Sequence, residues 1–313
     1  MPRGKHALQL IALTLGGVLA LTGCASTGTD AASSGDGRLQ VVASTNVYGQ
    51  IAEEIGGDLV DVTSIVASAA QDPHSFEATA KDQLTVSNAD LIIENGGGYD
   101  AFIEALVDSS GSEAPVITAV EFSAAWPGVD AGSGTDYVEG FNEHVWYDPT
   151  AVAALAQGIA DELAALQPDD AETFEANAAA YVAQIAGLES ALAEIDASHA
   201  GQKVFVTEPV PVYLVIAAGL ENATPAAFSQ AVEEGQDVPP ATLLESLTLL
   251  RDGGIGVVIT NAQTGGAETT QIVDEAQGLG IPVIAFSETL PEGQTYISWM
   301  QANIEALAAA LAE

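Results

Sequence analysis

A long helical pattern in the middle of the chain limits the possible folds more than any other segment. Between about Pro168 and Ala197, apolar residues recur at alternating steps of four and three, which places them on one face of an α-helix. These residues are Phe174, Ala178, Tyr181, Ile185, Leu188, Leu192 and Ile195. Such a helix is about 45 Å long at about 1.5 Å per residue. We expect a stiff connection that leaves little room for hinge motion.

Strands alternate with helices on both sides of this pattern. Alternation of this kind is typical of parallel sheets, which bind ligands at the carboxyl ends of their strands. The predicted fold class is therefore α/β, with two lobes that contain parallel sheets and are linked by one long α-helix. We place the N-terminal lobe at 38–166, the linking helix at 167–199 and the C-terminal lobe at 200–313.

Two of the helices predicted in the N-terminal half have recognisable starts. Asp148 followed by Pro149 has the composition of an N-cap and a first helical position. A second helix is expected at Phe76–Ser87, directly after a turn.

The first residues have the layout of an export signal. Arg3 and Lys5 form a basic head, and an apolar run from Ala7 to Leu21 follows. The run is shorter than the roughly 20 residues of a membrane-spanning helix. It ends in Leu-Thr-Gly-Cys, which resembles the bacterial lipobox, in which the cysteine is lipidated. We therefore predict a lipoprotein signal peptide at 1–23.

Cys24 is then the expected lipid attachment and the first mature residue. It is the only cysteine, so an internal disulfide is excluded. The following stretch at 24–37 is rich in Ser, Thr, Gly, Asp and Ala, which is typical of a flexible tether.

The formal net charge of −38 bears on possible partners. A surface of this sign repels the phosphates of nucleic acids and anionic lipid headgroups, so we expect no nucleic-acid partner. It attracts cations only diffusely, as a solvated acidic face does. The hydrophobic content of 48% argues against disorder.

Two of the four histidines lie where binding sites are built. His74 lies in a turn between a predicted strand and a predicted helix, and His144 lies in a loop before another helix. His6 belongs to the signal segment. His199 lies at the end of the long helix, where the helix dipole favours a histidine. His74 and His144 are the candidate ligands.

Two glutamates occupy matching positions in the C-terminal half. Glu208 directly follows the predicted strand Val204–Thr207, and Glu288 follows the predicted strand Pro282–Phe286. Both should project from strand carboxyl ends. Two imidazoles from one lobe and two carboxylates from the other suit a borderline to hard divalent cation, because imidazole suits zinc and carboxylate oxygen suits manganese.

Two motifs resemble the first two ligand motifs of a known family, the zinc/manganese class of ABC-transporter solute-binding proteins, which includes the ZnuA-like and lipoprotein-adhesin group. They are Asp72-Pro73-His74-Ser75-Phe76-Glu77 and His144-Val145-Trp146-Tyr147-Asp148-Pro149. Glu208, with Tyr213 five residues on, is similar to the third ligand segment. Glu288 stands at the fourth, where the family usually has Asp. The resemblance spans roughly residues 38–313.

The resemblance implies a metal-type periplasmic-binding-protein-like fold. It also implies the capture of one divalent ion, Zn²⁺ or Mn²⁺, as cargo by His74, His144, Glu208 and Glu288, and the delivery of that ion to the permease of an ABC importer. A monomer is expected. Together with Cys24, the resemblance implies an extracytoplasmic protein that lipid anchors to the cell membrane. Trp146 and Tyr147 are expected to pack the wall of the site.

The choice between zinc and manganese depends on both glutamates. Two His and two Glu are closer to the manganese-type pattern than to the three-histidine zinc pattern. The loop at Trp126–Asp136 also lacks the histidines that zinc importers of the family often carry there. Zinc nevertheless outcompetes manganese at most such sites. Whether Glu288 would bind through one oxygen or two stays open.

Three other functions involve a metal site or this architecture. A zinc hydrolase needs an open metal position and commonly has His-Glu-x-x-His, which is absent from the sequence, so no enzyme is expected. A binding protein of the same architecture for a metal chelate, such as a siderophore, would need a basic or aromatic pocket, and the C-terminal half has few Arg or Lys. A metal-dependent surface adhesin is compatible with transport and makes no separate demand on the sequence.

Overall fold

The structure is a computed structural model, and it describes residues 37–128, 137, 138 and 140–312. The predicted signal peptide at 1–23, Cys24 and the tether up to residue 36 lie outside these residues, as does 129–136 of the predicted loop. From Gly37 onward the chain forms one compact unit. No helix in the described ranges is long and apolar enough to cross a membrane.

The N-terminal half contains a four-stranded parallel sheet in the order β2-β1-β3-β4. Its strands are β1 Leu39–Thr45, β2 Val60–Val66, β3 Leu91–Glu94 and β4 Val116–Thr118. The central strands β1 and β3 are buried along nearly their whole length, since helices cover both faces of a parallel sheet.

The C-terminal half contains a second parallel sheet with the equivalent order β6-β5-β7-β8. Its strands are β5 Lys203–Val206, β6 Glu221–Asn222, β7 Ile255–Asn261 and β8 Val283–Phe286. The predicted α/β class with two parallel sheets is confirmed. The two-residue strand β6 is too short to leave an alternating pattern in the sequence.

The described residues contain ten α-helices. They are α1 Asn46–Gly56, α2 Ala80–Ser87, α3 Phe102–Ser110, α4 Pro149–Leu166, α5 Ala171–His199, α6 Val212–Ala217, α7 Ala226–Glu233, α8 Pro240–Arg251, α9 Ala267–Leu279 and α10 Tyr296–Leu311. Helix α4 begins at the predicted Pro149, and the Asp148 carboxylate accepts a hydrogen bond from the backbone N–H of Thr150 at 3.0 Å.

Helix α5 is the long linking helix. It has 29 residues, and its buried side chains are the seven apolar residues that the sequence pattern identified. It packs against α1 and α4 of the N-terminal half and against α6 and α10 of the C-terminal half. His199 closes its last turn, as the sequence indicated.

One continuous apolar cluster joins the two halves through this helix. It includes Ile93 of the first sheet, Val206 of the second, Leu188 of α5 and Leu307 of α10. Separating the halves would expose part of this cluster, at about 25 cal/mol for each Å² of apolar surface. The fold therefore resists large movements between the two sheets.

Two helices differ from the sequence-based expectation. Helix α2 begins at Ala80 rather than at residue 76, because Thr79 and Asp82 form a reciprocal capping box that fixes its start. Helix α7 was not predicted at all. It has only eight residues and buries a single side chain, Phe228, so it leaves no helical periodicity in the sequence.

Candidate metal centre

The four predicted ligands all lie on loops beside one edge of each sheet. His74 lies in a 3₁₀ turn at Pro73–Ser75 after β2, and His144 directly precedes a 3₁₀ turn at Val145–Tyr147. Glu208 follows β5, and Glu288 follows β8. Carboxyl ends of parallel strands are the usual position of binding sites in α/β folds.

The turn that carries His74 is fixed by the preceding aspartate. The Asp72 carboxylate accepts hydrogen bonds from the backbone N–H of His74 at 3.0 Å and from the hydroxyl of Ser75 at 2.8 Å. The His74 ring meets the ring of Tyr99 edge to face, with 4.9 Å between centroids. Burial lowers the pKa of His74, although the charge of Asp72 opposes this shift. His74 is thus a neutral imidazole near neutral pH.

His144 is almost completely buried, with 1% of its surface accessible. Its Nδ1 lies 2.7 Å from Oδ1 of Asn142. Because an amide oxygen only accepts, Nδ1 carries the proton and Nε2 keeps the lone pair that a metal would use. Burial, and then His74, hold the pKa of His144 well below its usual value.

Asp72, Glu77 and Asp148 lie near the two histidines in the sequence, and the sequence alone does not show which of them would orient an imidazole. The side chains of Asp72 and Asp148 instead cap their own turn and helix. Asn142, two residues before His144, takes the role. In the sequence, an asparagine two residues before a histidine gives no signal of this role beyond its proximity.

Glu143 is the site residue that sequence reasoning missed. The ligand atoms of His74, Glu143 and His144 all lie within 4.8 Å of one another, and Glu143 Oε1 is 4.0 Å from His74 Nε2. Burial raises the pKa of Glu143 to about 7, although a hydrogen bond from its own backbone N–H opposes this shift. Its place next to a candidate histidine ligand was the available signal.

Glu208 and Glu288 are not part of this compact group. The hydroxyl of Thr264 donates to Glu208, and the amide of Asn261 donates to Glu288 Oε1 at 2.6 Å. Burial raises the pKa of Glu288 to about 7 and also raises the pKa of Glu208. The structure therefore places both predicted carboxylates in the same acidic environment, but each is held by its own half.

Tyr99 forms the wall between the two sets of ligands. Gly97, with φ +66°, belongs to the tight turn after β3 that delivers it, and a Cβ there would come within 3.3 Å of the Glu143 side chain. The Tyr99 ring contacts the rings of His144 and Trp146. Burial, and then the charge of Glu288, raise the pKa of Tyr99 well above its usual value.

The predicted wall residues Trp146 and Tyr147 are both buried. The Trp146 ring lies 5.1 Å from the ring of His144, centroid to centroid. The Tyr147 hydroxyl donates to the carbonyl of Ser287 at 2.7 Å, which fixes the backbone next to Glu288. Tyr147 therefore connects the N-terminal half to the loop of a C-terminal carboxylate.

Helix α7 adds a further carboxylate. Glu233 Oε1 lies 4.0 Å from His144 Nδ1, is buried, and has no hydrogen-bond partner among the described residues. Burial, and then the neighbouring charges of Glu143, Glu208 and Glu288, raise the pKa of Glu233 to about 8. No ion pair within the described ranges brings Lys or Arg to any of these carboxylates. The pocket thus combines two neutral imidazoles with carboxylates that a cation would stabilise.

Direct contacts hold the two halves together beside the site. The Asn142 amide donates to the carbonyl of Pro209 at 2.9 Å, and the Tyr213 hydroxyl donates to the carbonyl of Asn142 at 2.6 Å. Asn46 of α1 exchanges two hydrogen bonds with the backbone of Leu290, at 2.8 and 3.0 Å. The loops after Glu208 and Glu288 are therefore anchored to the half that carries the histidines.

Comparisons with known proteins relate this chain to a family. The family model of ZnuA, described as zinc-uptake complex component A periplasmic, matches residues 41–310. The zinc-binding lipoprotein AdcA of Streptococcus pneumoniae serotype 4 is 29% identical over 287 residues, which is 87% of this chain and 56% of that relative. The chain thus spans about half the length of AdcA.

Two other relatives are named for different metals. The iron ABC transporter substrate-binding lipoprotein MtsA of Streptococcus pyogenes serotype M1 is 29% identical, with 95% of this chain and 96% of that protein covered. The manganese-binding lipoprotein MntA of Halalkalibacterium halodurans is 32% identical over 171 residues, with 55% of this chain and 54% of that protein covered.

Among solved structures, a mutant of the laminin-binding adhesin Lmb from Streptococcus agalactiae has a TM-score of 0.72. It is 23% identical and covers 87% of this chain and 99% of that chain. This likeness concerns the fold alone.

Proposed function

This chain belongs to the ZnuA family of zinc-uptake components, and we propose that it is an extracytoplasmic solute-binding lipoprotein. In this proposal it captures one divalent transition-metal ion, zinc or manganese, and delivers it to an ABC importer. The observation that carries the proposal is the pair of neighbouring imidazoles, the partly accessible His74 and the buried His144, beside carboxylates that no cationic side chain of the described residues neutralises. Neutral nitrogen and anionic oxygen donors together suit such ions.

We propose His74, His144, Glu208 and Glu288 as the ligands of the bound ion. Two nitrogen and two oxygen ligands would fill a tetrahedral coordination sphere, and a filled sphere suits binding without turnover. This supports a transport component rather than an enzyme. Because Asn261 holds one oxygen of Glu288, we propose that Glu288 binds the ion through its other oxygen, Oε2, which has no hydrogen-bond partner among the described residues.

Zinc and manganese both remain in the proposal. Relatives carry names for zinc, iron and manganese, so membership of the family does not select one metal. The oxygen content of the pocket favours manganese, while the Irving–Williams order favours zinc at equal concentration. Selection would then follow from the metal available outside the cell.

The permease partner and the location at the cell membrane belong to the same proposal. The relatives are named as lipoproteins, and the predicted signal peptide ends directly before Cys24, so we propose a lipid anchor on Cys24 and a permease as the docking partner. We propose that the chain acts as a monomer. The acidic pocket disfavours an anionic chelate such as a siderophore.

Elemental analysis of protein purified from its native envelope tests the proposal. We expect about one zinc or manganese per chain, and competitive titration with the two ions should then rank them. A protein that carries neither metal, and takes up neither after removal of its metal with a chelator, would refute the proposal.

A further inference from the structure

The compact group of ligand atoms lies entirely within the N-terminal half. His74, Glu143 and His144 are the only set of metal-type ligand atoms within 4.8 Å of one another in residues 37–128, 137–138 and 140–312. Neither Glu208 nor Glu288 belongs to it. All three of these candidate ligands therefore come from the half that carries the histidines.

The carboxylate of Glu143 is buried without a cationic side chain beside it. Only 8% of its side chain is accessible, and among the described residues no Lys or Arg forms an ion pair with it. The neighbour at 4.0 Å is Nε2 of His74, which is itself a candidate metal-ligating atom. A buried carboxylate in such surroundings is costly unless a cation compensates it.

The position of Glu143 is set by residues of the same half. The carbonyl of Glu143 accepts hydrogen bonds from the Asn95 amide at 3.0 Å and from the backbone N–H of Val145 at 2.7 Å. The hydroxyl of Tyr48 donates to Asn95 in turn. Gly97 leaves room for the Glu143 side chain, since any Cβ there would lie 3.3 Å from it.

The carboxylates of the other half are already engaged. Thr264 donates to Glu208, and Asn261 donates to Glu288 at 2.6 Å. An ion that binds these carboxylates has to share them with, or displace, those donors. The three N-terminal ligands require no comparable exchange, because the described contact of the Glu143 carboxylate with another side chain is to His74.

We propose that His74, Glu143 and His144 form a capture site that holds the incoming divalent ion before Glu208 and Glu288 join its coordination sphere. The proposal rests on the proposed function, because it assigns an order of events to the same cargo. Two imidazoles and one carboxylate leave at least one position open on a zinc or manganese ion, and that position is where the C-terminal carboxylates enter. Glu143 is then a metal ligand, which the four-ligand assignment does not include.

Zinc titration of carboxamide variants tests the order. The full chain is stripped of metal with a chelator and titrated with zinc chloride in a calorimeter. The double variant E208Q/E288Q is expected to keep one zinc per chain at reduced affinity, since the three N-terminal ligands remain. Addition of E143Q should weaken that residual binding by at least about tenfold, which corresponds to about 1.4 kcal/mol of binding free energy. The matched control is Glu113→Gln in the same double variant, because Glu113 is an exposed glutamate of the same half, and it should change nothing.

Two results would overturn the capture site while the proposed function stands. Either the double variant binds no zinc although the wild-type chain does, or the triple variant binds as tightly as the double. A wild-type chain that binds neither zinc nor manganese would instead refute the proposed function, and the capture site with it. The metal-free melting temperature of E143Q should equal or exceed that of the wild type, since a buried carboxylate is removed.

The single variant E143Q supplies an independent readout where the triple variant does not fold. We expect slower association of zinc in stopped-flow measurements, because capture begins at the altered ligand. An unchanged association rate together with an unchanged dissociation constant contradicts the proposal.

Discussion

The two halves of the molecule differ in how the side chains of their candidate ligands are held. In the N-terminal half, His74, Glu143 and His144 bring their ligand atoms within 4.8 Å of one another. In the C-terminal half, Glu208 and Glu288 are engaged by Thr264 and Asn261. The sheets have equivalent strand orders, so the difference lies in the loops and not in the architecture.

This difference indicates that the two halves have separate roles in metal binding. The neutral imidazoles are already in place as candidate ligands, whereas the C-terminal carboxylates accept hydrogen bonds that an ion has to share or displace. Each such bond is worth about 1.5–3 kcal/mol when a charged group is involved. We infer that the N-terminal half supplies most of the affinity and that the C-terminal half completes the sphere. The shared apolar cluster and α5 limit the movement needed to local shifts of loops.

Removal of an imidazole should have the largest effect. A metal present at about a hundredfold excess over its dissociation constant stabilises the wild type by about 2.7 kcal/mol, which corresponds to a rise in melting temperature of about 5–10 °C. We expect His74→Ala and His144→Ala each to abolish most of this rise in a thermal-shift measurement.

His199→Ala is the matched control for the imidazole variants. Its ring lies 3.0 Å from Gln202 at the end of α5, outside the candidate site, so the metal-induced rise should be retained. A full rise in both His74→Ala and His144→Ala would contradict the ligand assignment.

Removal of one C-terminal carboxylate should have an intermediate effect. Glu208→Gln or Glu288→Gln keeps the size of the side chain but removes its charge, and we expect the dissociation constant for zinc to increase by about tenfold, or about 1.4 kcal/mol. Glu245→Gln, an exposed glutamate of the same half, is the control. If either variant weakened binding more than His144→Ala did, the proposed division of tasks between the halves would be reversed.

The pH dependence should be the smallest of these effects. As pH rises, the metal-free chain should lose stability, while the stabilisation by bound metal should increase. Burial raises the pKa of Glu143 and of Glu288 to about 7 and the pKa of Glu233 to about 8, from 4.5. The folded metal-free chain therefore binds more protons than the unfolded chain, and its stability falls as pH rises towards 8.

The histidines act in the opposite direction only at lower pH. Their lowered pKa values stabilise the folded chain progressively as pH rises to about 6.5, so the carboxylate effect stands alone above that value. Between pH 6.5 and 8 we expect the metal-free melting temperature to fall and the metal-induced rise to grow. Glu233→Gln should flatten the fall, and an equal fall in that variant would exclude Glu233 as a cause.

Much of this arrangement could be predicted from the sequence. The seven buried residues of α5, the start of α4 and the central strands all follow from regular periodicity, which records burial directly. The sequence also proposes His74, His144, Glu208 and Glu288 as ligands, because loops at strand ends carry binding residues, and this assignment stays a prediction. These signals are local in the sequence.

The rest depends on contacts that no local pattern records. Helix α7 is too short to show a period, so Glu233 could not be placed beside His144. Tyr99 reaches the site only through a turn of glycines with positive φ. Glu143 looked like an ordinary loop glutamate, because its burial is caused by the turn after β3 and by Asn95.

X-ray absorption spectroscopy of the zinc-loaded full chain tests most directly whether both halves bind the same ion. We predict two imidazole nitrogens at about 2.0–2.1 Å together with carboxylate oxygens and no sulfur. We also predict that His144→Ala loses one imidazole and that E208Q/E288Q loses oxygen ligands while it keeps both imidazoles. A zinc shell with fewer than two imidazoles in the wild type, or one that E208Q/E288Q leaves unchanged, would contradict the account.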